Sequence, residues 1–383
     1  MIKRTAEKEL NLLANQFKAV AVVGPRQSGK TTLVRAVFKD KPYVNLENPD
    51  LRTFASEDPR AFLNNYKEGA IFDEIQRVPD LFSYLQQILD ESNHTGQFIL
   101  TGSNNFLIQS NISQSLAGRV GYLFLMPLTL LEINYKNYSL NDILLRGSYP
   151  ELYQKPEFDV SKYYANYIRT YIERDVRLIK NISNLNTFER FLRLCAGRVG
   201  QLLNINNLST QVGVDNKTID SWINILEASF IAFRLKPHHK NFNKRLIKMP
   251  KLYFYDTGLL SALLSVDNGK QLDLNPYKGQ IFENFIVSEQ IKRRYNLGME
   301  NNLYFWRDHS GHEVDLIIDK GLTLIPIEIK SGQTVIEQFF KGIKYWQKIS
   351  GDDSGYVIYA GDQEQLRSNG IKLIPYFGKI DGI

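Results

Sequence analysis

The chain has 383 residues, 43% of them apolar and 23% charged, with 47 Lys or Arg against 41 Asp or Glu. These values exclude a wholly disordered chain and predict more than one domain. A lone cysteine, Cys195, excludes an intrachain disulfide. The segment Met1 to Leu10 has no signal-like apolar core, and no run reaches the ~18 apolar residues of a membrane helix. The expectation is a cytoplasmic protein with no membrane partner.

In chain order, Ala19-Val20-Ala21-Val22-Val23 is a wholly apolar run, the pattern of a buried parallel strand. It leads into Gly24-Pro25-Arg26-Gln27-Ser28-Gly29-Lys30-Thr31, a G-x-x-x-x-G-K-[ST] string, and then a helical stretch beginning at Thr32. Strand, glycine loop and helix in that order make a P-loop, whose glycines let backbone approach phosphates and whose helix N-terminus faces the anion. The reading assigns Lys30 to the β- and γ-phosphates of ATP and Thr31 to Mg²⁺, with Gly24 to Thr32 as the cradle.

Ala70-Ile71-Phe72-Asp73-Glu74 is an apolar strand ending in two carboxylates. Asp73 suits the magnesium-side position of a Walker B strand, and Glu74 suits polarisation of an attacking water. Further strand-like runs at 43–46, 98–101 and 122–125 complete a five-stranded parallel α/β sheet. At the end of the fourth run, Ser103 or Asn104 sits where a γ-phosphate sensor is needed, although Gly102-Ser103-Asn104 is also a turn signal. Arg119, just before the fifth strand, suits an arginine finger for a neighbouring subunit of a homo-oligomer, or else a plain surface arginine.

Gly24 to Thr31, Asp73-Glu74, Leu100 to Ser103, Ser115 to Arg119 and Pro127-Leu128 together resemble the AAA-type ATPases of prokaryotes. They resemble in particular the group that carries a C-terminal nuclease-like domain. The resemblance spans essentially the whole chain and implies a strand order of 5-1-4-3-2. It also implies an α/β multidomain protein: an ATPase core over 1–135, a helical lid over 136–185, a winged-helix region over 186–265, and a restriction-endonuclease-like α/β domain over 266–383.

Residues 161–180 show a helical rhythm with Tyr163, Tyr164, Tyr167 and Tyr171 on one face, which reads as packing within the lid. Asn207 to Val212, a Gly213 turn, and a second helix capped by Asn216 and buried through Ile219, Trp222, Ile223 and Leu226 form a helix-turn-helix pattern. Such a motif serves DNA or protein partners alike. Between Glu151 and Leu260 there are 17 Lys or Arg against 10 Asp or Glu, so the positive surplus of the chain lies there. Arg234 to Lys251 is densest, with Lys236, Lys240, Lys244, Arg245, Lys248, His238 and His239 and no acid. The run suits phosphate neutralisation on DNA, or a solvated basic loop. Asp256 reads as a helix-capping or turn residue.

Near the end, Glu313 to Ile318 and Leu324 to Lys330 read as two strands joined by a turn near Lys320-Gly321. Glu328 and Lys330, two apart, project from one strand face, and Asp315 meets that face if the strands pair. Asp315 and Glu328 are the candidate Mg²⁺ ligands, with Glu313 as an alternate, Lys330 the charge stabiliser, and Glu283 on the preceding helix completing the cluster. This resembles the D-x(n)-E-x-K core of the restriction-endonuclease-like superfamily. His309 and His312 lack a cysteine pair and read as a strand-connecting loop rather than a zinc site. The resulting expectation is an ATP-hydrolysing protein acting on DNA, with a possible Mg²⁺-dependent nuclease centre. The alternative is a nucleotide-gated DNA- or protein-binding regulator with an inert C-terminal domain.

Overall fold

The computed structural model describes residues 2–102, 108, 111–112, 114–171, 184–240, 242 and 245–380. Five strands build the first sheet: β1 (Ala19–Val23), β2 (Tyr43–Asn45), β3 (Ala70–Asp73), β4 (Phe98–Gly102) and β5 (Val120–Phe124). Their order is β2-β3-β4-β1-β5, and every pairing is parallel. Read from the other edge this is 5-1-4-3-2, the order that the family resemblance implies. The central strands are buried on both faces, which is why they read as unbroken apolar runs.

The second sheet has eight strands and mixed directions. They are β6 (Ala232–Pro237), β7 (Lys251–Phe254), β8 (Leu303–Arg307), β9 (Glu313–Asp319), β10 (Leu324–Lys330), β11 (Gly355–Tyr359), β12 (Gln365–Leu366) and β13 (Ile371–Pro375). Their order is β12-β13-β11-β10-β9-β8-β6-β7. The hairpin β6–β7 pairs along its edge with β8, so one sheet runs across the expected boundary near residue 265. The pair β9–β10 is antiparallel, with Ile327 opposite Leu316, which sets Glu328 beside Asp315.

Between the sheets lies a helix, Lys278–Asn296, most of whose residues are buried. Burial of this kind leaves its polar side chains nowhere to go but into specific pairs. Glu289 and Lys292 pair with one another at 3.1 Å and grip the segment after β5. Glu289 Oε2 accepts from the Leu130 N–H (2.8 Å), and Lys292 donates to the Leu128 carbonyl (3.3 Å) and the Ser148 hydroxyl (3.0 Å).

The predicted lid helix spans Val160–Thr170, and Tyr163, Tyr164 and Tyr167 are buried along it. Asp256 caps the helix Thr257–Leu263, accepting from the Leu259 N–H at 2.7 Å. It also accepts from the Ser148 N–H (2.6 Å), the Ser148 hydroxyl (2.8 Å) and Tyr164 (2.7 Å), which ties the helix Val160–Thr170 to the helix Thr257–Leu263. No helix among the described residues is long and apolar enough to cross a membrane.

Candidate functional site

The nucleotide pocket opens where β1 ends. Gly24 lies so close to the Leu125 carbonyl that a Cβ there would overlap it. Gly29 adopts φ +90° as it caps the helix Lys30–Val37, a conformation that disfavours any side chain. Between them Gln27 also takes a left-handed turn, at φ +60°, and its side chain accepts from Tyr163 of the lid at 2.6 Å. The buried Lys30 ammonium donates to the carbonyls of Gly24 (3.0 Å) and Pro25 (2.7 Å), which holds it inside the loop.

Asp73 is buried at the end of β3 and accepts three hydroxyls. Thr31 reaches its Oδ2 at 2.8 Å, Tyr43 reaches the same oxygen at 2.6 Å, and Thr101 of β4 reaches Oδ1. Burial, with the hydrogen bond to Asp73 added, pushes the Tyr43 hydroxyl well above its ordinary range, so it remains a donor. Glu74 follows at φ +56°, a strained setting for a non-glycine residue, and accepts from the Gln76 amide.

These groups face a cavity of about 560 Å³, lined by Arg26, Gln27, Gly29, Lys30, Thr31, Thr32 and Glu74 on one side. Ile2, Leu128, Pro150, Tyr167 and Tyr171 line it elsewhere, beside polar residues such as Glu151 and Lys155, so part of the tyrosine stripe both packs and lines the pocket. The residues fit ATP with Mg²⁺. Ser28 Oγ is buried in the loop with no partner among the described residues, and Arg26, Gln27 and Gly29 of the same loop border the cavity.

Arg4 belongs to this site although nothing near it in sequence marks it. Its guanidinium is buried, donating to the carbonyls of Ser28 and Met126 at 2.7 Å each and to Glu132 at 3.1 Å. It pins the P-loop from the N-terminal segment. Arg119 lies elsewhere. Its carbonyl accepts from Ala19 at the start of β1, the sheet end opposite the P-loop, and its guanidinium is held by Asp90 of the same chain at 2.5 and 3.0 Å. Ser103 and Asn104 lie outside the described residues.

The C-terminal cluster also assembles. Lys330 Nζ lies 3.2 Å from Asp315 and pairs with Glu328, and the Ile329 N–H donates to Asp315 at 2.8 Å. Glu283 arrives from the long helix, where Tyr253 donates to it at 2.5 Å and Lys251 lies 3.3 Å away. Lys251 also pairs with Glu313, which Arg307 holds from the other side at 2.9 Å. A cleft of about 420 Å³ exposes Glu313, Asp315, Glu328 and Lys330.

Burial pushes the Glu328 carboxyl well above the usual range, and the Asp315 charge adds to this. Asp315 goes the other way: against burial, Lys330 and Lys251 hold it below the usual range. The donor set does not fit a divalent ion as the side chains stand. No group of three or more His, Cys, Asp or Glu among the described residues converges as metal ligands do; Lys251 pairs with Glu283 and Glu313, and Lys330 with Asp315 and Glu328. Asp315 and Glu328 therefore meet as predicted, but as an ion-pair network rather than a metal cage. His312 stacks on Tyr345 at 3.8 Å and hydrogen-bonds Asp308, which keeps it in a connecting loop.

In the middle region, Ile205–Val212, a turn at Gly213 and Asn216–Ala228 give the predicted helix pair, with Ile219, Trp222, Ile223 and Leu226 buried. The cap is Asp215, which accepts from the Thr218 N–H at 3.0 Å; Asn216 is the first helical residue instead. The basic run is not one surface. Arg234 turns back onto Glu227 and lies 3.5 Å from Asp220, His238 packs against Asp319 at 3.1 Å, and Lys251 is buried. The surroundings cause this: β7 is buried along its whole length, and Arg234 and His238 meet acids on the helix Asn216–Ala228 and at the end of β9. Lys236, Lys240, Arg245 and Lys248 stay exposed, and Lys244 lies outside the described residues.

The parallel sheet, the loop and the Thr31–Asp73 contact define an AAA-type P-loop domain, and residues 16–134 match the family described as AAA domain. Residues 137–270 and 278–377 match families described as domains of unknown function, DUF8612 and DUF4143. The uncharacterized proteins Mb2031c of Mycobacterium bovis and Rv2008c of Mycobacterium tuberculosis are each 31% identical over 335 residues, covering 87% of this chain and 74% of theirs. The chain belongs to the family of these mycobacterial proteins. Among solved structures, the Walker-type ATPase paby2304 of Pyrococcus abyssi aligns with a TM-score of 0.48 at 14% identity, covering 69% of this chain and 96% of that one.

Proposed function

We propose that the protein is a cytoplasmic, ATP-hydrolysing switch that acts on DNA. The observation that carries the first part is the 2.8 Å contact of Asp73 with Thr31, which lines a cavity together with Lys30 and Glu74. Gly24 to Thr32 cradle the phosphates, and the Lys30 ammonium exchanges its carbonyl partners for β- and γ-phosphate oxygens. Thr31, with Asp73 behind it, would hold magnesium, which would supply charge neutralisation on those oxygens. Glu74 orients a water toward the γ-phosphorus and takes its proton. Ser103 is the assigned sensor, and Arg119 of a neighbouring copy, once freed from Asp90, is the assigned finger in a homo-oligomer.

Glu74→Gln keeps the shape and hydrogen-bonding reach of the side chain but cannot accept the proton. The expected outcome is nucleotide binding within about twofold of the parent and ATP turnover lower by ~100-fold or more. Binding by fluorescent nucleotide titration, beside phosphate release, checks it. Unchanged turnover removes Glu74 from its role.

DNA contact falls to the exposed Lys236, Lys240, Arg245 and Lys248 and to the polar face of the helix Asn216–Ala228, which carries Lys217, Ser221 and Asn224. This part of the chain is read as a winged-helix-like module, and the last third as a nuclease-like domain. In that domain Glu283, Asp315, Glu328 and Lys330 are the candidate centre for phosphodiester hydrolysis. A second reading, a nucleotide-gated regulator with an inert centre, is favoured by one observation: Lys251, Lys330 and Arg307 already occupy its carboxylates. A divalent-metal nuclease assay on linear, circular and branched DNA, parent against Lys330→Ala, separates the two. Cleavage lost in Lys330→Ala supports the nuclease; absence of cleavage in the parent supports the regulator, which is the expected outcome.

A further inference from the structure

Lys251 opens β7, in the middle of the chain, yet its ammonium lies inside the C-terminal carboxylate cluster. It is 2% exposed. On one side it packs over the Phe305 ring, 5.4 Å from the centroid. On the other it pairs with Glu313 and lies 3.3 Å from Glu283. Tyr253, two residues on and therefore on the same strand face, donates to the same Glu283 oxygen. Gly200 closes the cluster from the middle region: it sits at φ +71°, and a Cβ there would come within 3.4 Å of Glu283.

A charge this deeply buried persists only when paired, and Lys251 is paired twice. The cluster holds four carboxylates, Glu283, Glu313, Asp315 and Glu328, against three cations, Lys251, Lys330 and Arg307. A divalent ion drawn to Glu283 and Glu313 would need the volume that the ammonium fills and would be repelled by it. Lys330 guards Asp315 and Glu328 in the same way.

We propose that Lys251 is the resident counter-cation of this cluster, its ammonium standing where a divalent ion would bind, so that the cluster takes up Mg²⁺ or Mn²⁺ only when Lys251 is removed. The inference rests on the regulator reading of the last third and is independent of the nucleotide site. The centre is then composite, completed by the β6–β7 hairpin rather than by the last third alone.

The test is Mn²⁺ titration of nucleotide-free full-length protein, followed by the paramagnetic resonance of the free ion. Every variant carries Asp73→Asn, which removes the magnesium-side carboxylate of the nucleotide pocket. The Lys251 protein is expected to take up no Mn²⁺, and Lys251→Met to take up about one ion per chain and to melt at a higher temperature when Mn²⁺ is present. Uptake by the Lys251 protein that Asp315→Asn abolishes overturns the proposal, as does a Lys251→Met protein indifferent to Mn²⁺. Should Lys251→Met fail to fold, the double variant Lys251→Met/Glu283→Gln removes one charge of each sign. Recovery of folding supports the counter-cation role, and continued failure overturns it. DNA cleavage is scored separately in the parent protein: metal-dependent cleavage lost in Lys330→Ala overturns the regulator reading and this inference together, whereas a Lys251→Met protein indifferent to Mn²⁺ overturns the inference and leaves the regulator reading standing.

Discussion

Lys30→Ala is expected to abolish retention of ATP at micromolar concentrations and to lower turnover by at least ~100-fold. Lys30 is buried at the first turn of its helix, where it donates to two carbonyls of the loop it closes. Neutral carbonyls are weak partners for an ammonium compared with a triphosphate, so the side chain is held close to where the anion binds and gains strongly when it arrives. Alanine removes that gain and leaves the Gly24 and Pro25 carbonyls to water or the ligand. The β1 and Lys30–Val37 packing does not depend on the ammonium, so the melting temperature should move by only a few degrees. Equilibrium binding of ATP with Mg²⁺, phosphate release and a thermal melt check the three parts together. ATP retained at the parent affinity would remove Lys30 from the phosphate site, and with it the nucleotide reading of the pocket.

The contrast between Lys30 and Arg4 shows where sequence reading works and where it stops. Lys30 sits in a local signature: apolar strand, glycine loop and helix follow one another within about twenty residues, and the geometry follows from that order. The five strands of the first sheet are legible for the same reason, since burial on both faces leaves unbroken apolar runs. Asp315, Glu328 and Lys330 are legible once two adjacent strands are seen to pair. Arg4 is not, because its partners Ser28, Met126 and Glu132 are up to 128 residues away. Beside Lys3, near the start of the chain, it looks like any solvated charge.

Lys251 fails for a related reason. In sequence it closes a basic run; in space, β7 is buried along its whole length, and Lys251 points into an acidic cluster away from the exposed part of that run. Net charge along a segment predicts a surface only if the segment is all surface. Asp215 and Asn216 differ by one residue, and both are good caps by type; the actual cap depends on where the Gly213 turn, at φ +84°, releases the chain.

The segment from Met126 to Glu132 is gripped from two sides. Arg4 holds the Met126 carbonyl and the Glu132 carboxylate, while Glu289 and Lys292 of the long helix hold the Leu130 N–H and the Leu128 carbonyl. The same long helix delivers Glu283 to the C-terminal cluster. The P-loop and that cluster are therefore braced against the two ends of one buried helix, and Arg4 is the contact on the nucleotide side.

Arg4→Met is accordingly expected to lower unfolding stability by about 3 kcal/mol at pH 7 and to weaken ATP binding roughly tenfold. Glu132 is fully buried at its side chain and accepts from Arg4, from the Thr5 N–H at 2.7 Å and from the Thr129 N–H at 2.8 Å. Burial pushes its carboxyl up, but Arg4 and those two amides pull it further down, and the balance lies below the usual carboxylate range. A depressed folded value means that this carboxylate stabilises the protein above its unfolded value, near pH 4.5, and that the contribution fades as pH falls through the folded value. Without Arg4 the largest opposing pull is gone and burial weighs more heavily, so the variant's Glu132 binds a proton more readily. The gap between parent and variant should then narrow as pH drops from 7 toward 4.5, because protonation relieves the variant while the parent has nothing to relieve. Urea unfolding of both proteins at the two pH values measures it. A gap that stays constant would mean that Arg4 acts by filling space rather than by holding a charge, and the weaker ATP binding would need another cause than the loss of its grip on the Ser28 carbonyl.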